Sequence, residues 1–399
     1  MQAVKAIQLY NAGRDAERLQ LKYRKMRGGD FPFLRATCHL FYDRLPVDGV
    51  FKKAPAVWMC GDLHIENFSS YKADNRLTHY DISDFDEAAL APASWDLVRL
   101  LCSLQVGATS IGIKPTEARA LCNTFIETYA QTLAGGKVYW VERETSKGLV
   151  RELLDSLRDR QRKDFLASRA VMKNKRPKLR TDGSKALPAS KADKAMVTEF
   201  MADFARTQPN PGFFKILGVA RRIAGTGSLG VPRFVLLVHG KGGSDGHYLL
   251  DLKQTLASAL LPKLKVKQPR WESEAHRVVA LQSRLQAVSA AFLHPVRMDD
   301  KSWVLRELQP SEDRLTLDGS SQKRAELSEV VATMARIVAW AHLRSAGREG
   351  SATADELIAY GQRKKWRKKL LDASHEVTLQ VRRDAAAFNS AYDEGAFEA

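Results

Sequence analysis

The run "GTGSLG", Gly225 to Gly230, limits what this chain can fold into more than any other stretch. Gly225, Gly227 and Gly230 stand in a GxGxxG spacing with Ser228 among them, a pattern that lets backbone amides approach a phosphate. A dinucleotide-binding fold needs a helix directly after such glycines, because the helix N-terminus receives the pyrophosphate. Here Val231 and Pro232 lead instead into "RFVLLV", an aliphatic and aromatic run that reads as a strand. The glycines therefore join two strands, and the doubly wound dinucleotide fold is excluded. "HYLLDLK" supplies a third strand, which ends near Lys253.

The rest of the chain surrounds this strand-rich region with helices. Helical periodicity covers residues 1 to 50, broken at "RGGDFPF", and returns from about Ala325. "SWDLVRLLCSLQVGA", "TEARALCNTFIETYAQTL" and the more charged "SKGLVRELLDSLRDRQRKDFLASR" read as three helices. "AVWMC" and "RLTHYDIS" read as short strands that run into acidic loops. After Lys253 come the helix "ESEAHRVVALQSRLQAVS" and a hairpin around "FLHPVRMDDKSWVLREL". The predicted fold class is α+β with three segments: helical residues 1–204, a small nucleotide-binding unit at 205–310, and a second helical part at 311–399. At 399 residues and 44% hydrophobic, the chain can bury a core of that size.

The formal net charge of +17 comes largely from "KNKRPKLRTDGSK" (Lys173 to Lys185) and "RKKWRKK" (Arg363 to Lys369). The first reads as a mobile loop running to about Lys191, the second as a solvated helix face. Both could contact acidic partners, but no nucleic-acid module accompanies them. No apolar run reaches the roughly 18 residues of a membrane span. The four cysteines lack paired spacing and fit reduced thiols, and the amphipathic start is unlike a signal segment, so the expected location is cytoplasmic.

Two acidic loops carry the chemistry. In "GDLHIENF", Asp62 and Asn67 have the D-x-x-x-x-N spacing of a kinase catalytic loop, where the aspartate orients an acceptor hydroxyl and the asparagine oxygen binds magnesium. Downstream, "DISDFDE" offers Asp84 for a metal that bridges phosphates, with Asp86 as a further metal-site acid or a helix cap. Lys253 is placed to neutralise the nucleotide phosphates, and Glu307, in the hinge-like strand exit "WVLRELQPSE", is a further candidate for binding the nucleotide. A helical acid should hold Lys253. Glu272 and Glu274 stand at the helix start, where they equally suit the helix dipole, while Gln282 occupies the middle. Arg35 could reach an anionic acceptor or simply form an ion pair. A metallophosphoesterase would use Asp62 and His64 as its opening D-x-H, with His79 as a possible ligand, but the chain has no GNH sequence to complete a two-metal site.

Together, "GDLHIENF", "DFD" and "WDL" resemble the aminoglycoside and choline phosphotransferase branch of the kinase-like superfamily. The resemblance implies that His64 braces the loop and that Asp96 supports its backbone. The glycine loop and lysine follow the catalytic loop here instead of preceding it. A circular permutation restores the usual order, with His342 of "AWAHLRSAG" ending the helix that would lead into "CGDLH". Taken with "FPFLRATCHLFYDRL", "DLKQT" and "HRVVALQSRLQ", the chain resembles the bacterial domain of unknown function 2252 family. It departs from that family's expected V-V-E-x-Q-R run at "VVALQSR". The resemblance implies a circularly permuted, bilobal kinase-like fold using ATP and Mg2+ to phosphorylate a hydroxyl of an unidentified small molecule or protein. A nucleotide-binding pseudokinase and an AMP transferase are the alternatives.

Overall fold

A computed structural model describes residues 2–173, 176–243, 245–308, 314–315, 317 and 324–398. The chain opens with α1 (Gln2–Asn11), α2 (Ala16–Arg27), α3 (Asp30–Ala36), α4 (Cys38–Arg44) and α5 (Gly49–Lys52). Four short strands follow: β1 (Ala56–Met59), β2 (Phe68–Lys72), β3 (Thr78–Ile82) and β4 (Ala89–Pro92). Next come α6 (Ala93–Ser110), α7 (Pro115–Gly135), α8 (Gly148–Arg158), α9 (Arg162–Arg169), β5 (Ala170–Lys173), β6 (Arg176–Leu179), β7 (Ala186–Pro188) and α10 (Lys191–Arg206). The strand-rich part holds β8 (Ile216–Arg222), β9 (Arg233–Val238), β10 (Tyr248–Gln254), α11 (Glu274–Leu285), β11 (Leu293–Met298) and β12 (Lys301–Glu307). The chain closes with α12 (Arg324–Arg344), α13 (Ala354–Gln362) and α14 (Lys365–Asp393). The fold is mixed α+β, as its sequence pattern implies.

The main sheet is antiparallel, in the order β11-β12-β10-β9-β8-β7. Strand alternation gives it two different faces. Phe234, Leu236, Leu250, Leu252 and Leu305 form one face, packed with Val197 and Met201 of α10. On the other, Leu249, Asp251 and Lys253 alternate along β10. Its apolar end, with Val235 and Leu237, is covered by Leu166 of α9 and Leu179 of β6. Its charged end turns toward the loops that follow β1 and β3.

Those loops stand on a helical body whose axis is α6. Nearly every α6 residue is buried, including Asp96, Arg99 and Ser103, as expected for a helix enclosed on all sides. Residues of α7, α12 and α14 share its core. The two ends of the chain meet here: Gln8 donates to the Ala396 carbonyl at 3.0 Å and Gln20 to the Phe397 carbonyl at 2.8 Å. Arg27 pairs with Asp393 at 2.8 Å.

Several local expectations change. The basic segment read as a mobile loop contains the β5–β6 hairpin and β7, which pairs with the edge of β8. Composition hid this, because Leu179 has no apolar neighbours in sequence and finds them on the sheet. Asn174 and Lys175 of that segment lie outside the described residues. The charged third helix is two, α8 and α9, parted at Asp159–Gln161. β2 and β4 were not expected; "FSSYK" is short and polar, "ALAP" is short and ends in proline, and they form by pairing with β3 and β1. Because Ala89–Pro92 is strand, Asp86 caps no helix.

Candidate functional site

The loop after β1 is fixed by α6. Asp96 accepts hydrogen bonds from the Cys60 amide at 2.9 Å and the Gly61 amide at 3.0 Å. Behind it, His342 lies 3.9 Å from Asp96 and bonds Tyr129 at 2.8 Å. Gly61 has φ of +81°, and a Cβ there would strike the Glu87 carbonyl, so the turn requires glycine. Tyr42 donates to the Gly61 carbonyl at 2.6 Å. This scaffold presents Asp62, whose Oδ1 accepts from Nε of Arg99 at 2.7 Å and also from its terminal nitrogen. Arg99 is fully buried (0% exposed), and the Asp62 charge keeps its guanidinium protonated against the pull of burial. The other Asp62 oxygen turns to the glycine loop: a Cβ on Gly227 would sit 3.9 Å from Oδ2.

Asn67 ties the two acidic loops together. Its amide nitrogen donates to the Asp62 carbonyl at 3.0 Å and the Asp84 carbonyl at 3.1 Å. Its amide oxygen accepts from the Asp84 N–H at 2.9 Å and the Ser83 hydroxyl at 3.1 Å. The Asp84 N–H can only donate, which fixes the amide's orientation, and both oxygen lone pairs are engaged. His64 is buried and accepts from the Glu66 N–H at 3.1 Å through Nδ1. Burial, reinforced by Arg35 and Arg99, holds its pKa well down, so it stays neutral. Arg35 pairs with Glu66 at the rim.

Lys253, from β10, reaches down to both acids of the second loop. Its Nζ lies 3.7 Å from Asp84 and pairs closely with Asp86. Burial works to raise both carboxyls. Lys253, aided by Arg306 and Arg233, nevertheless holds Asp84 below its ordinary value, whereas the Asp84 charge adds to burial and pushes Asp86 up. Glu87 is a fourth cleft acid, after Asp62, Asp84 and Asp86, that sequence reasoning passed over. It accepts from the Ala259 amide at 2.6 Å and the Ser258 hydroxyl at 3.1 Å, and burial lifts its pKa to about 7.

The glycine loop closes the cleft from above. Gly225 and Gly230 have φ of +75° and +90°, and Gly225, Gly227 and Ser228 line the same cavity as Asp62, Asn67, Asp84 and Asp86. The loop is gripped by the first two helices, which sequence reasoning did not assign to the site. Lys22, fully buried, donates to the Gly227 carbonyl at 2.9 Å and to Asn11 at 2.8 Å. Arg14 donates to the same carbonyl at 3.0 Å, and Arg18 to the Val231 carbonyl at 3.1 Å.

Other expected residues stand apart. Glu274 pairs with Arg277 at 2.6 Å and Glu272 with His276 at 3.3 Å, so neither reaches Lys253. Gln282 is buried and bonds Gln286 at 3.2 Å. Glu307 lines a different cavity, beside Lys72 and Arg162. The hinge-like stretch after Leu308 lies outside the described residues as far as Arg314. His79 bonds Asn75 on the β3 side and takes no part.

Asp84 and Asp86 offer carboxylate oxygens at the cavity wall, and magnesium commonly takes one or two such carboxylates plus substrate phosphates. Among the described residues, no three or more His, Cys, Asp or Glu side chains form a group that could hold a metal ion.

Residues 14–391 match a family described as an uncharacterized protein conserved in bacteria (DUF2252). No curated protein and no solved structure gives a match.

Proposed function

The chain belongs to the DUF2252 family, and we propose that it is an ATP-dependent phosphotransferase acting on a hydroxyl group. One observation carries this reading: a single cleft gathers Asp62, Asp84 and Asp86 under the glycine loop, with Lys253 held on the two metal-site acids. Phosphoryl transfer asks mostly for positioning and charge neutralisation, which this set supplies. On the same reading, residues 205–310 form the small lobe of a circularly permuted kinase-like fold, and residues 1–204 and 311–399 form the large one.

In the proposed reaction, Oδ2 of Asp62 accepts a hydrogen bond from the acceptor hydroxyl while Arg99 fixes the carboxylate through Oδ1. The hydroxyl oxygen bonds to the γ-phosphorus as the bridge to the β-phosphate breaks. The proton passes to Asp62, and ADP leaves. Lys253 and the glycine-loop amides hold the phosphate oxygens. Magnesium, held by Asp84 and Asp86, would supply charge neutralisation between phosphates; Asn67, as bonded here, contributes by locking the two loops in register.

The absence of an acid at Gln282 favours a nucleotide-binding pseudokinase as the second reading. Incubating the full chain with Mg-ATP and following ADP release separates the two. Wild type is expected to turn over ATP, with Asp62→Asn slowed by about 100-fold or more and Asp84→Asn inactive. Binding of ATP without turnover would favour the pseudokinase. A product heavier by AMP would instead mark a nucleotidyl transferase. Failure of wild type to bind ATP at all, by thermal shift, would end the kinase-like reading.

A further inference from the structure

Behind Asp84, on the charged end of the sheet's inner face, lies a second cavity. Arg222, Arg233, Arg306 and Arg314 line it, with Asp84 as the carboxylate among its lining residues. Gly225 lines both this cavity and the cleft above Asp62, so the two are neighbours under one loop.

Three of the arginines are organised by one buried acid. Asp251, 0% exposed, accepts from Arg233 at 2.7 and 2.6 Å. It also lies 2.9 Å from Arg222 and 3.3 Å from Arg306. Asp251 thus gathers three guanidinium groups beneath the sheet, and the Asp84 charge also acts on Arg233 and Arg306. Arg314 lies 3.8 Å from Glu66, which is already paired with Arg35.

Burying charge is costly unless it is compensated, and a surplus of guanidinium is well matched to phosphate, which it can bind through paired hydrogen bonds. The neighbouring surface narrows the choice further. The apolar end of the same face is already covered by Leu166 and Leu179, so the part left open to a ligand is the charged part.

We propose that this cavity is a phosphate subsite, in which Arg222, Arg233, Arg306 and Arg314 bind a phosphate group beyond those held at Asp84 and Lys253. That phosphate has two possible sources. It belongs to the nucleotide's own phosphate chain, entering under Gly225, or to a phosphorylated acceptor bound beside the nucleotide.

Calorimetric titration of inorganic triphosphate into the full chain tests the subsite. Wild type is expected to bind it, with affinity reduced about tenfold in Arg306→Gln and in Arg314→Gln, as for the loss of one charged hydrogen bond. Arg314 lies outside the sheet and is partly exposed, so its variant should fold even if the Arg306 variant does not. No binding by wild type, or unchanged affinity in both folded variants, overturns the proposal. A repeat under saturating Mg-ATP identifies the source: displacement of triphosphate assigns the subsite to the nucleotide chain, and simultaneous binding assigns it to a phosphorylated acceptor. The subsite and the phosphotransferase reading fail separately. A chain that binds triphosphate through these arginines but never consumes ATP overturns only the reaction, and one that consumes ATP with both variants unchanged overturns only the subsite.

Discussion

Asp62 has one oxygen anchored by a buried arginine and one oxygen facing the cleft, a division of labour visible only at the level of single atoms. That Asp62, Asn67 and Asp84 come together was legible in sequence because they lie on two loops close in the chain. Arg99 was not singled out, although an arginine three positions after Asp96 in an otherwise apolar helix is a signal of a buried ionic partner. Lys22 and Glu87 gave no comparable signal, since their partners lie far away along the chain. The turn at Gly61 yields a stability prediction. Gly61→Ala combines a left-handed backbone with a clash at Glu87 and should cost at least about 2 kcal/mol in denaturant unfolding. His39 yields a pH prediction. Its ring stacks on Tyr10 at 3.8 Å, and neither ring nitrogen has a hydrogen-bond partner. Burial, then Lys22 and Arg14, lowers its pKa from 6.5 to about 3. The unfolded chain therefore takes up a proton that the native state refuses. The stability this group contributes is complete above pH 6.5 and is lost as pH falls toward 3, on the order of 5 kcal/mol in total. His39→Phe should flatten that acid limb in melts recorded from pH 7 to pH 4.

Among elements, the pairing of α1 and α2 with the glycine loop was the least foreseeable. The first helix reads as amphipathic and so promises only a packed face, whereas the contacts it makes possible are hydrogen bonds to loop carbonyls. Lys22 and Arg14 converge on one of them, that of Gly227, so the loop's position over Asp62 depends on a segment some 200 residues away. Lys22→Met removes one donor and strands the Asn11 oxygen. Amide hydrogen exchange across residues 225–231 should then accelerate about tenfold, as for the loss of a charged hydrogen bond. Unchanged exchange would mean that packing alone holds the loop. The sheet itself was legible, because β9 carries a continuous apolar run and β8 and β10 are rich in aliphatic residues, and so was α11. The β5–β6 hairpin was hidden for the opposite reason: its sequence is basic and its stability comes from a surface contributed by other strands.

At the scale of the molecule, two regions distant in sequence cooperate only because the helical body and the sheet face each other across charged groups. Lys253 bridges to Asp84 and Asp86, and Arg277 of α11 donates to the carbonyls of Ala88 at 2.7 Å and Asp86 at 2.8 Å. The contact between the chain's two ends has a practical corollary. With Gln8 bonded to Ala396 and Gln20 to Phe397, a flexible link of about eight residues should span the gap. The backbone can then be treated as a ring that tolerates a new opening elsewhere. The exposed turn Thr207–Asn210, between α10 and the sheet, is a suitable place to cut it. A protein begun there would run from sheet to helices to acidic loops, and should melt within a few degrees of the native chain. The packing of sheet against helices would then be indifferent to the point at which that ring is opened.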